Sequence, residues 1–406
     1  MAKHLEIVDK VQCCGCSACM AACPKQCIAM EYDGEGFKYP VIDESACIDC
    51  GTCISVCPLT ESNCRVGLEP VKRAFAVSNR DQSIRASSTS GGAFAALAKM
   101  VLDAGGIVVG ARFDEGFHVI HDIADSGEGT SVFYGSKYVQ SDLVEKDIYR
   151  KVRDACEQNV PVLFGGTPCQ THGLRTFLGG DYPGLYVCDF VCRAVPSPLV
   201  WEEYLHAKEA SAGSKAVEVV FRNKTYGYHS GTMKIVFANG SVYYGSGRID
   251  PMHKAFFADA ISRPSCYRCR FRSTERSSDF TIFDCWSYEQ LTGLEDDNLG
   301  HSHLWIHTEK GLQAIGRLSS ELIMVDVNPR AAVLSDGVMA TRDIKRNPLR
   351  DEFIAACMAD GLASSVAAYF PVSGKDRFIE KCKGVLYRMG ILSALSRAKR
   401  RRKLHG

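Results

Sequence analysis

Short apolar runs alternate with longer amphipathic stretches in the middle of the chain, between about residues 71 and 210. The apolar runs have the length of strands, and the amphipathic stretches have the period and length of helices. Strands are predicted over residues 73–78, 107–113, 160–164 and 185–191. Helices are predicted over residues 92–103, 147–158, 170–177 and 198–207. Because strands and helices alternate along the chain, we predict a mainly parallel sheet here.

The pattern changes at about Lys215. Short strands are predicted over residues 217–222, 233–237 and 242–244, and the Asn239-Gly240 turn between the last two predicts antiparallel hairpins. A helix over 251–261 and a mixed segment to about residue 345 follow, and the last 60 residues have a helical pattern. A basic run over 397–403 follows an apolar stretch. A solvated helix end is the favoured interpretation, and docking on a partner or an anionic membrane surface is the alternative.

Composition narrows the class of protein. The chain has 406 residues, of which 46% are hydrophobic and 23% are charged, and a net charge of +1. The hydrophobic and charged fractions exclude a disordered chain. The net charge is too small to give an overall electrostatic attraction for nucleic acid. The sequence contains neither the apolar core of a signal peptide nor an uncharged apolar run long enough for a membrane span. The unusual number is 20 Cys, eleven of them within the first 64 residues, which indicates thiolate ligands in a reducing cytoplasm.

Most of these early cysteines belong to an internal repeat. Cys13, Cys16, Cys19, Cys23 and Pro24 recur 34 residues later as Cys47, Cys50, Cys53, Cys57 and Pro58. This spacing is that of bacterial ferredoxins with two 4Fe–4S clusters, in which the fourth Cys of each motif binds the other cluster. We therefore predict one cluster on Cys13, Cys16, Cys19 and Cys57, and a second on Cys47, Cys50, Cys53 and Cys23. A pair of zinc sites is the disfavoured alternative, because zinc does not require the exchange of the fourth cysteine.

The repeat also predicts a domain. Residues 8–60 resemble a two-cluster bacterial-type ferredoxin, with a short hairpin between the motifs, and we assign this domain to residues 1–62 and a linker to 63–72. Cys14, Cys27 and Cys64 are left over and are interpreted as packing thiols.

Glycine-rich turns and further cysteines follow the predicted strands of the central segment. The Ser87–Gly92 turn precedes a helix, where free backbone N–H groups suit phosphate, although from the sequence alone a simply capped helix is the favoured interpretation. Cys169 begins a helix after a strand, which favours a thiolate, and Cys192 follows the next strand. Cys266 and Cys269 form a CxxC pair among arginines. The spacing leaves open whether these four thiols form a cluster site or are unrelated, with Cys169 redox-active, Cys192 buried and the pair part of a zinc site.

These motifs together resemble the coenzyme F420 hydrogenase/dehydrogenase beta-subunit family over about residues 70–345. The resemblance is carried by Ser90-Gly-Gly92, Gly135-Ser-Lys-Tyr138, Gly166-Thr-Pro-Cys-Gln170, Cys192 before Val195-Pro-Ser-Pro198, and Cys266-x2-Cys269 leading to Ser278-Asp279. It implies an N-terminal-like domain over 73–210, a C-terminal-like domain over 211–345 and a helical, basic tail over 346–406. The implied fold is α/β and α+β: a small ferredoxin domain, a mixed α/β flavin-binding domain, an α+β domain and the tail.

The resemblance also implies cofactors and their ligands. FAD would lie on Ser90, Gly91, Gly92, Lys137 and Tyr138, with a third 4Fe–4S cluster on Cys169, Cys192, Cys266 and Cys269. Relatives pass electrons between the flavin and a deazaflavin or another partner, and 7-hydroxymethyl chlorophyll a reductases belong to the same group, so the substrate is not fixed. The sequence departs from the family pattern at Phe283 and Ser287, which replace glycines near the ligand, and Cys285 between them is interpreted as a buried thiol.

Two weaker groups remain. His301, His303 and His307 alternate along one predicted strand face with Trp305, and a partly exposed strand face is favoured over a metal site. Arg222, Lys224 and Tyr226–His229 would contact an anionic substrate or simply form a polar hairpin end.

We therefore expect a cytoplasmic iron–sulfur flavoprotein oxidoreductase that passes electrons from ferredoxin-type clusters through a third cluster to FAD and a small redox substrate. A redox partner protein or small molecule would donate or accept the electrons. A non-catalytic electron-transfer subunit of a larger complex and a zinc-stabilised binding module are the alternatives.

Overall fold

The N-terminal domain is built from the two cysteine motifs and a hairpin between them. The computed structural model describes residues 4–392, so the basic run 397–403 lies outside the described residues. The elements of this domain are α1 (Ala18–Ala22), β1 (Ile28–Tyr32), β2 (Lys38–Ile42) and α2 (Thr52–Ser55). Strands β1 and β2 pair antiparallel from Ile28–Ile42 to Tyr32–Lys38, as the sequence predicts.

The sequence repeat is also a repeat of the backbone. Gly15 and Ser17 precede α1 with φ of 70° and 65°, and the residues 34 positions later, Asp49 and Gly51, precede α2 with φ of 55° and 72°. Left-handed residues at alternate positions turn successive N–H groups toward one side of a loop, where they form a concave site for an anionic group. Both motifs therefore present their cysteines on the same kind of loop.

The following segment supplies alternating strands and helices. Its strands are β3 (Arg73–Asn79), β4 (Ile107–Phe113), β5 (Val119–Ala124), β6 (Val162–Gly165) and β7 (Leu185–Phe190). Its helices are α3 (Gln82–Ser87), α4 (Ala93–Leu102), α5 (Gly127–Thr130), α6 (Ile148–Glu157), α7 (Pro168–Leu178) and α8 (Pro198–Ala212). Helix α7 begins with a Thr167–Gln170 capping box and Pro168 in its first turn, and it ends at Gly179 in the left-handed conformation.

The rest of the chain adds a small sheet, further strands and a helical end. The strands are β8 (Ala216–Asn223), β9 (Thr232–Phe237), β10 (Val242–Ser246), β11 (Phe280–Asp284), β12 (Ser302–Ile306) and β13 (Leu322–Asp326). The helices are α9 (Pro251–Phe257), α10 (Tyr288–Thr292), α11 (Glu309–Gln313), α12 (Ile315–Glu321), α13 (Pro329–Ser335), α14 (Arg350–Asp360), α15 (Leu362–Tyr369) and α16 (Gly374–Arg388). None of the helices in residues 4–392 is long and apolar enough to cross a membrane.

A mixed eight-stranded sheet forms the centre of the molecule, in the order β13-β3-β12-β11-β7-β6-β4-β5. Strands β4, β6, β7 and β11 run parallel, but both flanks are antiparallel, so the prediction of a mainly parallel sheet is wrong. The reason is that β5 follows β4 in a hairpin, and β11 enters the sheet from the distant end of the chain with β12 returning beside it. Strands from both sides of residue 210 share this sheet, and the domain boundary proposed there stays a prediction.

The second sheet, in the order β10-β9-β8, packs on helices from three parts of the chain. Trp201 of α8, Phe221 of β8, Phe256 of α9 and Phe353 of α14 are buried in one apolar cluster with it. The two-part architecture is thus a mixed α/β region and an α+β region, preceded by the ferredoxin-like domain, as the sequence predicts.

The ferredoxin-like domain is docked on the rest of the molecule by buried arginines. The Arg263 guanidinium is fully buried and donates to the carbonyls of Cys13 and Lys38, each at 2.9 Å. Arg350 forms a two-pronged ion pair with Glu35 at 3.0 and 2.6 Å. Such fork-to-carboxylate pairs fix orientation as well as distance, so this domain holds a defined position against the central sheet.

Candidate functional site

The thiols of the two ferredoxin motifs lie in two groups, and each group combines cysteines from both motifs. One cavity is lined by Cys47, Cys50 and Cys53 together with Cys23 from the other motif. At the other site, burial raises the pKa of Cys19, and the neighbouring thiols of Cys13 and Cys57 raise it further. Thiols that oppose one another's ionisation are close together, and a bound metal cluster would remove that repulsion. The residues therefore fit two clusters, while the individual ligand assignments stay predictions.

Backbone N–H groups also face these sulfurs. The amide of Leu5 donates to Cys53 Sγ at 3.2 Å, and the amide of Asp49 donates to Cys47 Sγ at 3.5 Å. Such hydrogen bonds stabilise negative charge on a cluster's sulfurs and tune its reduction potential. Of the leftover thiols, Cys27 lies 3.4 Å from Cys23 Sγ and lines the same cavity.

Four cysteines from distant parts of the chain line a second cavity, of about 440 Å³. Cys169 lies in the first turn of α7 and Cys192 follows β7, so adjacent parallel strands place both at one edge of the sheet. Cys266 and Cys269 come from the short helical turn Pro264–Arg268 and its end. Arg272 and Arg276, both nearly buried, line the cavity beside them. Four thiols with adjacent cations are a donor set that fits an anionic iron–sulfur cluster.

The expectation that Cys169 favours a thiolate is wrong for the unliganded protein. A hydrogen bond with Cys14 and burial raise the pKa of Cys169 well above its usual value, which outweighs the effect of the helix end. Burial likewise raises the pKa of Cys192, and Cys266, Cys169 and Cys269 add to the effect. The four thiols therefore lie near one another, and a metal centre would have to displace their protons on binding.

The cavity of the four cysteines adjoins the first ferredoxin site on one side. Cys14 and Cys57 both line it, and the thiols of Cys16 and Cys169 are close enough to Cys14 to shift its pKa. Cys14 is therefore not a packing thiol remote from the chemistry: it lies directly between two groups of cysteines. The spacing of cysteines in the sequence does not predict this position of Cys14, because its contact with Cys169 depends on how the two domains dock.

On the other side lies a large cavity, of about 1220 Å³. Residues 192–195 and Met339 line both cavities and form the wall between them. The volume exceeds the roughly 300–1,000 Å³ of ordinary small-molecule sites, so it suits a dinucleotide-sized ligand. Its lining combines aromatic side chains with Arg193, Arg222, Arg248 and Lys383, which suits an anionic ligand.

Four of the five residues predicted for the flavin line this large cavity: Ser90, Gly92, Lys137 and Tyr138. Gly92 is the N-cap of α4 with φ of 80°, so the helix begins at the cavity wall. Burial lowers the pKa of Lys137 to about 7, and its Nζ donates to the Val132 carbonyl at 2.6 Å. A helix N-terminus beside a lysine is a combination that binds phosphate.

Gly91 differs from its neighbours. A Cβ added there would lie 2.4 Å from the Val77 carbonyl oxygen and 2.7 Å from the Ser302 amide nitrogen, so its missing side chain faces β3 and β12. Gly91 is required for packing of the turn on the sheet, and a larger residue would disturb the fold before it met a ligand.

The cavity also contains residues that the sequence marked weakly or not at all. Arg222, Tyr226 and His229 line it, whereas Lys224 does not and instead donates to the carbonyls of Arg85 and Ser90 at 2.6 and 2.7 Å. Trp286 stacks on Tyr228 at 4.3 Å. Helix α16 covers part of the cavity, with Phe378, Ile379, Cys382, Lys383 and Leu386 on its inner side. The sequence pattern near the C-terminus predicts a helix there, but it does not predict that this helix lies over the large cavity.

The expectation of a partly exposed histidine strand is wrong. Every residue of β12 is buried, because the strand lies inside the eight-stranded sheet, and His301 and His307 just outside it are buried too. Cys285 and Asp336, which are distant from His303 in the sequence, lie beside it in the structure.

Comparison with known proteins identifies two family models. Residues 161–328 match the model that describes the C terminus of the coenzyme F420 hydrogenase/dehydrogenase beta subunit, and residues 12–60 match the 4Fe-4S dicluster domain. The first match crosses residue 210 and includes all four cysteines of the second cavity. The two-cluster ferredoxin prediction is thereby confirmed at the level of the domain.

Among solved structures, the chain is similar to one from the F420-reducing [NiFe] hydrogenase complex of Methanosarcina barkeri, studied by xenon derivatization. The identity is 17% and the TM-score is 0.45, over 68% of this chain and 89% of that chain. None of the curated proteins matches this sequence. The chain therefore combines a 4Fe-4S dicluster domain at its N-terminus with a region, residues 161–328, that matches the coenzyme F420 hydrogenase/dehydrogenase beta-subunit family.

Proposed function

We propose that this protein is an iron–sulfur flavoprotein oxidoreductase of the cytoplasm. In this proposal two ferredoxin-type clusters exchange electrons with a partner. A third cluster, on Cys169, Cys192, Cys266 and Cys269, connects them to FAD in the large cavity. From FAD the electrons reach a small redox substrate of coenzyme F420 type or another class.

One observation carries the proposal: the cavity of the four cysteines touches the first ferredoxin site and the large cavity at once. Cys14 and Cys57 line its ferredoxin side, and residues 192–195 separate it from the large cavity. Electron transfer between redox groups needs short, fixed separations, and the shared lining of these three sites supports such a route. A set of unrelated thiols would not require this alignment.

The chain's own residues would bind and orient the cofactors. The buried Arg272 holds the chain between the cavities, since its guanidinium donates to the carbonyls of Cys192 and Arg193 at 3.4 and 2.5 Å. Its charge, with that of Arg276, would offset the negative charge of a cluster on the four thiols. A bound flavin supplies the ability to exchange electrons singly with clusters and in pairs with a substrate.

A steric variant tests the flavin site without disturbing the fold. Gly135 lines the large cavity, and a Cβ added there meets nothing within 4 Å, so Gly135→Phe should fill the cavity and lower FAD occupancy. Gly180→Phe is the matched control, because it adds the same side chain at a position with equally open surroundings outside the cavity. Flavin extracted from anaerobically purified protein would be identified by mass and quantified against iron.

The same preparation distinguishes an oxidoreductase from a non-catalytic electron-transfer subunit. Bound FAD in the unmodified protein, loss of it in Gly135→Phe alone, and reduction of a soluble acceptor support an oxidoreductase. Clusters without flavin even when FAD is supplied, with activity only in the presence of a partner protein, would replace the proposal by a non-catalytic electron-transfer subunit.

A further inference from the structure

Three separate segments bring Cys285, His303 and Asp336 together beside strand β12 of the central sheet. Cys285 follows β11, His303 lies in β12, and Asp336 follows α13. One potential ligand atom from each lies within 4.8 Å of the others. Cys285 is 1% exposed, and the side chains of His303 and Asp336 are 0% and 2% exposed.

Neighbouring residues hold two of these side chains in place. The ring of Phe283 stacks on His303 with centroids 4.4 Å apart. Ser287 donates to Asp336 twice, from its amide at 3.1 Å and from its hydroxyl at 2.9 Å. Metal ligands in proteins are typically oriented by such second contacts. Phe283 and Ser287 are the two positions at which this sequence departs from the family's glycines, and Cys285 lies between them.

The cluster is not fully satisfied by its own hydrogen bonds. His303 Nε2 lies 3.0 Å from an Asp336 oxygen, a contact that one ion bound to both atoms would replace, and the other ring nitrogen, Nδ1, is buried without a hydrogen-bond partner among the described residues. Within residues 4–392, His303 is the residue with which Asp336 forms an ion pair, and neither Lys nor Arg reaches it. A buried carboxylate and thiol with no strong cation nearby form an environment that a divalent cation would neutralise.

We propose that Cys285, His303 and Asp336 bind one divalent transition-metal ion of zinc type, independently of the electron-transfer function. Thiolate, imidazole and carboxylate are the three ligand types of zinc sites, and three protein ligands leave one coordination position for water. One thiolate and one carboxylate balance the charge of the ion. Asp336 and Phe283 also line the large cavity, which gives the ion a route of entry. The metal would join the end of β11, the middle of β12 and the turn after α13.

The test uses Zn²⁺ alone on the full chain. Protein purified anaerobically with its clusters and desalted after exposure to Zn²⁺ should retain about one zinc per chain. Zinc-edge X-ray absorption should give one sulfur at about 2.3 Å and the remaining ligands as nitrogen or oxygen at about 2.0–2.2 Å. This shell distinguishes the proposed site from zinc that has entered an iron–sulfur site, which would give an all-sulfur shell.

Variants then assign the ligands. Cys285→Ser and His303→Gln should lose zinc with iron content unchanged, and Ser287→Ala should weaken zinc affinity about tenfold through the orientation of Asp336. Cys357→Ser is the control, since it removes another buried thiol that lies outside this cluster. A zinc-free protein, an all-sulfur shell, or unchanged zinc in Cys285→Ser would overturn the proposal. The absorption measurement on the unmodified protein decides the question even where a variant fails to fold.

Discussion

Replacement of the CxxC pair in the second cavity tests the third cluster most directly. The variant Cys266→Ser, Cys269→Ser removes two of the four thiols proposed to bind the third cluster in the cavity of about 440 Å³, and it leaves both ferredoxin motifs intact. With three clusters the unmodified protein holds about twelve irons, and loss of one cluster leaves about eight. We therefore expect a loss of one third of the iron and of the acid-labile sulfide, not a partial decrease at every site.

The assay combines metal analysis with spectroscopy of the reduced protein. Electron paramagnetic resonance after reduction should retain the signals of the two ferredoxin-type clusters in the variant, while reduction of bound flavin through them becomes slow. Cys64→Ser, Cys357→Ser is the matched control, because it also removes two thiols and neither of them lines the second cavity or the large cavity. The control should keep all its iron.

Two results would refute this reasoning. One is a double variant that retains its full iron content and normal electron transfer to flavin. The other is an unmodified protein, purified without oxygen, that never holds more than about eight irons. In either case Cys169, Cys192, Cys266 and Cys269 would not bind a cluster. No third cluster would then connect the ferredoxin domain to the large cavity.

Two further predictions concern the neighbouring sites. Cys57→Ser should damage the cluster built on the first motif and spare the cluster of Cys47, Cys50 and Cys53, as seen by electron paramagnetic resonance, whereas damage confined to the latter cluster would contradict the crossed assignment. Because burial lowers the pKa of Lys137 to about 7, its charge is present below pH 7 and lost above it, so the affinity for FAD should fall as the pH rises through 7. Lys137→Met should abolish that pH dependence in titrations of apoprotein with FAD. Lys224→Met removes a lysine of similar pKa outside the cavity and should retain the pH dependence. An unchanged pH dependence in Lys137→Met would exclude Lys137 from the FAD site.

Local patterns in the sequence predict the local structure well. The strand predicted over 107–113 is β4 within the same bounds, and the hairpin of the ferredoxin domain occurs where its turn residues place it. These features depend on neighbours in the sequence: apolar period, turn chemistry and helix caps. The four cysteines of the second cavity also emerge near one another, but periodicity alone could not show this, and the family resemblance was needed.

What the sequence could not predict depends on contacts between distant segments. The order of the central sheet places β12 between β3 and β11, which buries His303 and brings Asp336 and Cys285 to it. Cys14 has no distinctive spacing, and its contact with Cys169 exists only because the two domains dock. Gly91 resembles a ligand-binding glycine in sequence, but the nearest atoms to its missing side chain belong to the sheet. In each case tertiary packing, not local propensity, decides the role of the residue.

The buried position of Arg263 has a kinetic consequence. Its guanidinium bonds Cys13, Lys38 and Gln140, and these contacts join the loop of the first motif to the central domain. A ferredoxin held in this way does not need to collide with its acceptor, so the internal step is unimolecular and should not vary with protein concentration or ionic strength. The encounter with an external partner remains second order. Cys50, the one exposed thiol among the described cysteines, lies on the second motif, away from this interface. In the proposed function the two ends of the molecule would therefore differ: a partner would exchange electrons at the second motif, and the substrate would react at the large cavity.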